Sequence, residues 1–537
     1  MLIQGLIEGS TMRKRKKESI AIIAALLVFT VLLFLSQVYY LRIDPDSENL
    51  SPLSEISRRS LENLPNNLRL EYYVSENLER RSYIPKQVES QLNELRRAFP
   101  SKIDIQLHRL PSGQAEPELE QLGITPTNLE IVEEGERSYV QVYSAIVLNY
   151  GGNRALLPEV YHPRMLEYQL NVKLRELTGE GKKSVGILLG HGSQRTRRSY
   201  SLLEQTLASR YDLVFLSPGD ELPKFLDGLL IFGGERLEVE DLFLIDQYLM
   251  SGNRVFWGIE AVWIDTQQNL QAKEIGQRPA FDLLEHYGVG VRKALVLDES
   301  ARNYRVPSQD FGSVRWEVLD TYPHWVRILR ENSNEAHPVA DGYQGLDLLW
   351  PSPLQIDPHR IDGTKELVSL FESSSEAWLM EERYFTNPYD AADLHVLGAE
   401  SAGRYKLGLA LRGRFESYFA DQREELPNGL IEPTEDLRKS SEEAELIVVG
   451  DSDFATDTIQ YSDSLYNLDF LLSVAEYLVG DEDLMRLRRR SVRAYPQLTG
   501  SSRDKINLVM ARSRFLSLIL VPSIILLYGF FRYRRRR

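Results

Sequence analysis

The chain has 537 residues, with 63 Lys and Arg against 78 Asp and Glu, a formal charge of −15. Its 43% hydrophobic and 26% charged residues are the balance of a globular protein of several domains, not of a disordered chain. Cysteine is absent, which removes disulfides, Cys-ligated zinc, iron–sulfur clusters and cysteine nucleophiles, and the acidic balance argues against a nucleic-acid partner.

In chain order, residues 1–19 hold the basic run Arg13 to Lys17. Residues 20–40 follow as an uncharged apolar stretch, long enough as a helix to cross a hydrocarbon core of about 30 Å. The stretch exceeds a signal-peptide core, lacks a small-x-small cleavage site and ends at Tyr39 and Tyr40, so an uncleaved transmembrane helix is expected. What precedes Met12 adds nothing to this pattern, which makes Met12 a candidate start. Residues 506–531, with an uncharged core from Phe515 to Phe531, are expected to form a second transmembrane helix before the basic tail 532–537. Positive charge at both outer ends predicts cytoplasmic termini. The body between them, of net charge −23 once the two basic clusters, Glu8 and Glu18 are set aside, is then extracytoplasmic, on the periplasmic side of an inner membrane in a diderm cell.

Between these segments the pattern is α/β. Residues 68–74 and 103–107 read as strands around a helix over 85–99, whose Val88, Leu92, Leu95 and Phe99 fall on one face. With 139–149 as a further strand and 164–177 as a helix, residues 45–180 resemble a thioredoxin-like domain, and Ser75-Glu-Asn-Leu78 stands where its Cys-x-x-Cys belongs. A second domain opens in 183–300: strands at 185–189, 213–216, 228–232 and 254–257 alternate with helices at 200–209, 242–250 and 281–287. Residues 294–297 continue the alternation, and 438–500 supply a last strand at 445–449 and a helix at 468–478. This alternation predicts a doubly wound parallel sheet. Residues 301–437 read as an irregular insertion, with strands at 346–349 and 405–411 and a flexible loop over 426–443.

Ligands of open α/β sheets bind at the carboxyl ends of strands. That rule selects Gly190-His191-Gly192-Ser193 and the Gly233-Gly234 turn as candidate ligand-binding residues. A His–Ser pair suits a nucleophile and its base, yet the sequence around Ser193 is not the Gly-x-Ser-x-Gly of a nucleophile elbow, and a tight turn ordered by His191 is the plainer reading. Asp451 and Asp453 end a strand and are the candidate metal ligands, although Asp-x-Asp also serves as a turn or helix cap. Gly179 to Ser184 lacks the spacing of a phosphate-binding loop, so no ATP hydrolysis is expected from this chain, and no cofactor is implied.

Several stretches resemble the auxiliary component of ABC transport systems related to gliding motility, the GldG-like family. They are Leu166-Glu-Tyr-Gln-Leu170, Gly190-His-Gly-Ser193, Ile245-Asp-Gln-Tyr-Leu-Met-Ser-Gly-Asn-Arg-Val-Phe-Trp257, Leu283-Leu-Glu-His-Tyr-Gly-Val289, His337-Pro338 and Leu446-Ile-Val-Val-Gly-Asp-Ser-Asp-Phe454. Ser193 departs from the family's Gly-His-Gly-Glu. The resemblance implies a membrane-anchored, non-enzymatic partner of an ABC permease and a cytoplasmic ABC ATPase, with a central domain similar to class I glutamine amidotransferases. Without cysteine the amidotransferase reaction is excluded. Two other readings stand beside it: a periplasmic α/β hydrolase of glycan or ester using His191 and Ser193, and a solute-binding receptor with its cleft beside Gly190 and Gly233.

Overall fold

The computed structural model describes residues 53–493 and Arg534, except 112–116, 134–135, 192–194, 267–268, 311–312, 342–344, 362, 391–393, 395–401, 421–436 and 463. Of two compact units, Met1–Leu53 and Ser54–Arg537, everything below concerns the second.

Helix α1 (Glu55–Glu62) starts at Ser54, whose hydroxyl accepts the Ser57 N–H at 3.1 Å and so satisfies one of the free donors of the first turn. Strand β1 (Leu68–Ser75), helices α2 (Glu76–Arg81) and α3 (Ile84–Ala98) and strand β2 (Ile103–Leu110) then form a parallel strand–helix–strand unit. The helical period of α3 buries Val88, Leu92 and Leu95 together. Strands β3 (Ser144–Tyr150) and β4 (Asn153–Leu157) run antiparallel and complete a sheet of order β2-β1-β3-β4. The strand expected over 139–149 is two strands in different sheets, because Glu136–Val142 pairs instead with Thr127–Glu133. Helix α4 (Leu166–Thr178) ends at Gly179, whose φ of +76° suits a residue without a Cβ.

The second sheet is built on β5 (Ser184–Leu189), β6 (Asp212–Leu216), β7 (Gly228–Phe232) and β8 (Arg254–Gly258). It is extended by β9 (Lys365–Glu372), β10 (Lys406–Gly413) and β11 (Ala444–Val449), in the order β9-β10-β11-β8-β7-β5-β6. Five strands, β11 to β6 along that order, are parallel, whereas β9 and β10 are antiparallel. Every residue of β7 and β11 is buried, as expected of strands covered on both faces. On one face Leu230, Phe232, Phe256 and Ile447 pack with α5 (Ser201–Ala208) and α8 (Tyr466–Leu478). On the other, Leu229, Ile231, Trp257 and Leu446 pack with α6 (Val239–Met250) and α7 (Pro279–Tyr287). Helix α9 (Glu482–Arg493) follows α8.

Three expectations are corrected. The sheet is mixed rather than parallel throughout, because the segment read as an irregular insertion contributes β9 and β10 through antiparallel pairings, with β10 running against the other strands. That segment also holds a long hairpin, Ala301–Asp310 with Ser313–Ile328, carrying Leu346–Leu349 on its outer strand, while Leu295–Leu297 leaves the main sheet to pair with Trp378–Met380. The third correction concerns the membrane: no helix among the described residues is long and apolar enough to cross one. The two transmembrane helices expected at 20–40 and 506–531 fall on segments that lie outside the described residues. The inner-membrane location with cytoplasmic termini and a periplasmic body, which rested on those helices, has no membrane-crossing helix behind it among the described residues.

Candidate functional site at the strand ends

Strand β5 has β6 on one side and β7 on the other, so the chain reverses its direction of travel across the sheet beside β5. At such a point the loops leaving two neighbouring strands part and leave a crevice. Gly190 donates to the Phe232 carbonyl at 2.8 Å, Gly233 to Gly258 at 2.8 Å and Ile259 to Val449 at 2.9 Å, which stitches four strand ends together at one level. The carbonyl of Gly233 in turn accepts the indole N–H of Trp257 at 2.9 Å.

His191 leaves β5 and lies flat against Gly233. A Cβ at Gly233, where φ is +78°, would stand 2.4 Å from the ring Nδ1, so the turn and the buried histidine require each other. Arg195, Tyr200 and Glu260 stand around the ring, and Asp451 and Asp453 lie beyond them beside Glu260 and Arg195. The Arg195 guanidinium is hydrogen-bonded to the Asp453 carboxylate and lies 4.0 Å from Glu260. Ser452 donates its hydroxyl to Glu260, whose other oxygen is 3.9 Å from His191 Nδ1, beyond hydrogen-bond reach. Asp451 accepts the N–H of Leu349 at 2.6 Å and of Asp453 at 2.7 Å, one on each carboxylate oxygen. The loop bearing it meets Ser352 so closely that a Cβ on Gly450 would stand 2.0 Å from the Ser352 carbonyl oxygen.

Burial governs the protonation of this cluster. It holds the His191 imidazole well below its usual range, with Arg195 adding to the effect. It also pushes Glu260 up to about 7, against the pull of Arg195 and with the help of Asp453. Asp451 is raised by burial and by the neighbouring Asp453 and Glu260, and Asp453 is raised by burial despite Arg195. For Arg195 burial opposes the charge, but Asp453 and Glu260 outweigh it and keep the guanidinium protonated. Among the described residues, His191 Nε2, Arg195 Nη1 and the Tyr200 hydroxyl have no hydrogen-bond partner.

Of the residues selected from the sequence, Gly190, His191, Gly233, Asp451 and Asp453 come together here. Gly234 stands beside them, packed toward Ile259 and Ala280. Gly192 and Ser193 lie outside the described residues. Among the described residues no group of three or more acidic or histidine side chains is arranged to hold a metal ion, and the oxygens of Asp451 are engaged by backbone donors. Arg195, Tyr200 and Glu260 were not selected. Glu260 follows β8 by two residues, so the strand-end rule that found Asp451 also finds it when applied to every strand.

Fold and site together define an α/β protein with a mixed seven-stranded sheet whose strand-end crevice is filled by buried charge. Residues 182–474 match the family described as ABC-type uncharacterized transport system, and residues 47–149 match a domain of unknown function. The chain belongs to that ABC-type transport family, and its role is that of an auxiliary component associated with such a system. A protein from Borreliella burgdorferi described as uncharacterized is 23% identical over 532 residues, covering 98% of this chain and 99% of its own. Among solved structures, a ThuA-like protein from Parabacteroides merdae is 12% identical over 56% of this chain and 91% of its own, with a TM-score of 0.27. A β-galactosidase from Bacillus circulans sp. alkalophilus is 9% identical over 75% of this chain and 57% of its own, with a TM-score of 0.25. At such scores neither likeness bears on fold or activity.

Proposed function

We propose that the chain is a non-enzymatic auxiliary component of an ABC-type transport system that works by engaging partner subunits or cargo through its folded body, while a separate ATPase consumes ATP beside a permease. The observation that carries this reading is the filling of the strand-end crevice. Where an enzyme of this architecture keeps an open site, Arg195, Asp453, Glu260 and His191 are buried against one another. A hydrolytic base must reach its substrate, and His191 is sealed under Gly233 with a neutral ring. The resemblance to gliding-motility-related auxiliary components supports the same reading.

The test is recovery of partners. The full chain, tagged and purified from its own cells in mild detergent, is expected to bring down an ATP-binding cassette subunit and a permease. Purifications that repeatedly yield the chain without either subunit sink the proposal.

A further inference from the structure

A sheet edge offers unpaired N–H and C=O groups to any strand that fits, and folds blunt their edges for that reason. In the seven-stranded sheet, β6 has only five residues and ends two residues before Pro218, while the pairing of β9 with β10 shifts register twice. Strand β2, at one edge of the four-stranded sheet, has neither device. It runs eight residues without proline, pairs with β1 in unbroken register and has a strand on one side only among the described residues. Leu68 donates to the Lys102 carbonyl at 2.8 Å, which turns the backbone of the even-numbered residues of β2 toward β1. The N–H and C=O groups of Ile105, Leu107 and Arg109 therefore point off the edge.

Side chains alternate along the same strand. Ile105 and Leu107 are half-buried on the face packed by α3, where Arg109 meets Glu79 at 3.0 Å and Glu89 at 3.3 Å. On the other face Asp104 meets Arg69 at 3.1 Å, Gln106 is exposed and the His108 ring lies on Tyr73 with centroids 4.4 Å apart. His108 Nε2 has no hydrogen-bond partner among the described residues. Laid antiparallel on a copy of itself about a two-fold axis at Gln106, the strand sets Ile105 opposite Leu107, Gln106 opposite Gln106 and Asp104 opposite His108. An acid then faces an imidazole on one side of the sheet, apolar side chains meet on the other, and no like charges are opposed. An axis one residue earlier sets His108 against Lys102. One residue later, it sets Asp104 against Leu110 and Ile105 against Arg109. Self-complementarity selects the register at Gln106.

We propose that β2 is a self-pairing edge through which two copies of the chain join, doubling the four-stranded sheet across a two-fold axis at Gln106. The pairing satisfies the main-chain groups of Ile105 and Leu107 and brings Asp104 of the partner subunit to His108. It does not rest on the transport reading.

The absence of cysteine from the chain supplies the test. In this pairing residue 106 stands opposite itself with Cα atoms about 4.5 Å apart, within disulfide reach, whereas the two copies of residue 104 are more than about 10 Å apart. Both side chains are exposed, so either position accepts a cysteine. Under mild oxidation the full chain with Gln106→Cys is expected to form a disulfide-linked dimer in about tenfold higher yield than the full chain with Asp104→Cys. No dimer at position 106, as when a strand of another protein occupies the edge, overturns the proposal. Comparable yields at both positions, as random collision gives, overturn it too. If the variants do not fold, the purified wild type decides: its Ile105 and Leu107 amides should exchange slowly with solvent in particles that hold two chains. Unprotected exchange there, or particles of a single chain, removes the proposal.

Discussion

Two buried charge clusters in this chain use the same side chains to different ends. At the strand ends two carboxylates, Asp453 and Glu260, share Arg195, with Asp451 beside them. Behind the sheet the balance is reversed: Glu476 of α8 meets Arg488 of α9 at 3.0 Å, Arg210 at 3.6 Å and the Tyr168 hydroxyl of α4, while Asp481 meets Arg175 and Lys183, each at 3.2 Å. Bases outnumber acids there, each acid oxygen finds a donor, and α4 is tied to the consecutive pair α8 and α9 far along the chain. Arg489 and Arg490 extend the tie to Asp341 at 2.7 Å and to Glu167 at 3.4 Å. The ratio of base to acid, more than burial itself, separates a carboxylate whose oxygens are all engaged by donors from carboxylates that share one cation.

The largest effect is expected at the cluster behind the sheet. Glu476→Ala leaves Arg488, only 11% exposed, without its carboxylate partner and strands the Tyr168 hydroxyl, at a cost of about 3–5 kcal/mol. Urea denaturation measures it, and a loss below about 1 kcal/mol would erase the distinction between the clusters. Arg195→Met comes next and acts on the other side of the comparison. It removes the one cation that the described residues set against Asp453 and Glu260, so the loss should be about 3 kcal/mol at alkaline pH. In mild acid, where the two raised carboxyls accept protons, the loss should shrink. Equal losses at both pH values would show that these carboxyls do not titrate together with the fold. Gly233→Ala tests packing without charge: the new methyl meets the His191 ring and the backbone keeps its positive φ, for a loss of about 2 kcal/mol. Adding His191→Ala should return the steric share and leave the backbone share, which thermal unfolding of the double variant reads directly.

What was legible in the sequence follows from the same physics. Strands 228–232 and 445–449 announce themselves because both faces are buried and every position is apolar. Helix α3 shows its face because its other side meets water. The hairpin Ala301–Asp310 with Ser313–Ile328 was hidden: Pro307, Asp310 and scattered charges break any apolar alternation, and its pairing is set by the partner strand rather than by local pattern. Strand β9 is edge-like and only partly buried, so its seven-stranded context could not be inferred from its own residues. At the site, glycines and strand-end acids pointed to the place, whereas Arg195 and Tyr200 were out of reach. Their sequence neighbours say nothing about a carboxylate more than 250 residues away, the separation of Arg195 from Asp453. The membrane segments were inferred from apolar length, basic flanks and interfacial tyrosines, and they lie outside the described residues, among which no helix has that length and character.

The smallest effect calibrates the rest. Arg80 and Glu76, one turn apart on α2, form an ion pair at 2.6 Å, shorter than the 3.0 Å of Arg488 to Glu476. Distance alone would rank it stronger. Yet the two side chains are 70% and 40% exposed, so water screens the attraction and replaces either partner when the other is removed. Arg80→Ala should therefore cost only about 0.3–0.5 kcal/mol, and raising the salt concentration should erase even that. The contrast with Glu476→Ala holds the chemistry constant and varies the surroundings. If the exposed pair proved worth more than about 1 kcal/mol, distance rather than solvent access would be setting these energies. The reasoning that separates the two buried clusters would then fail at its first step.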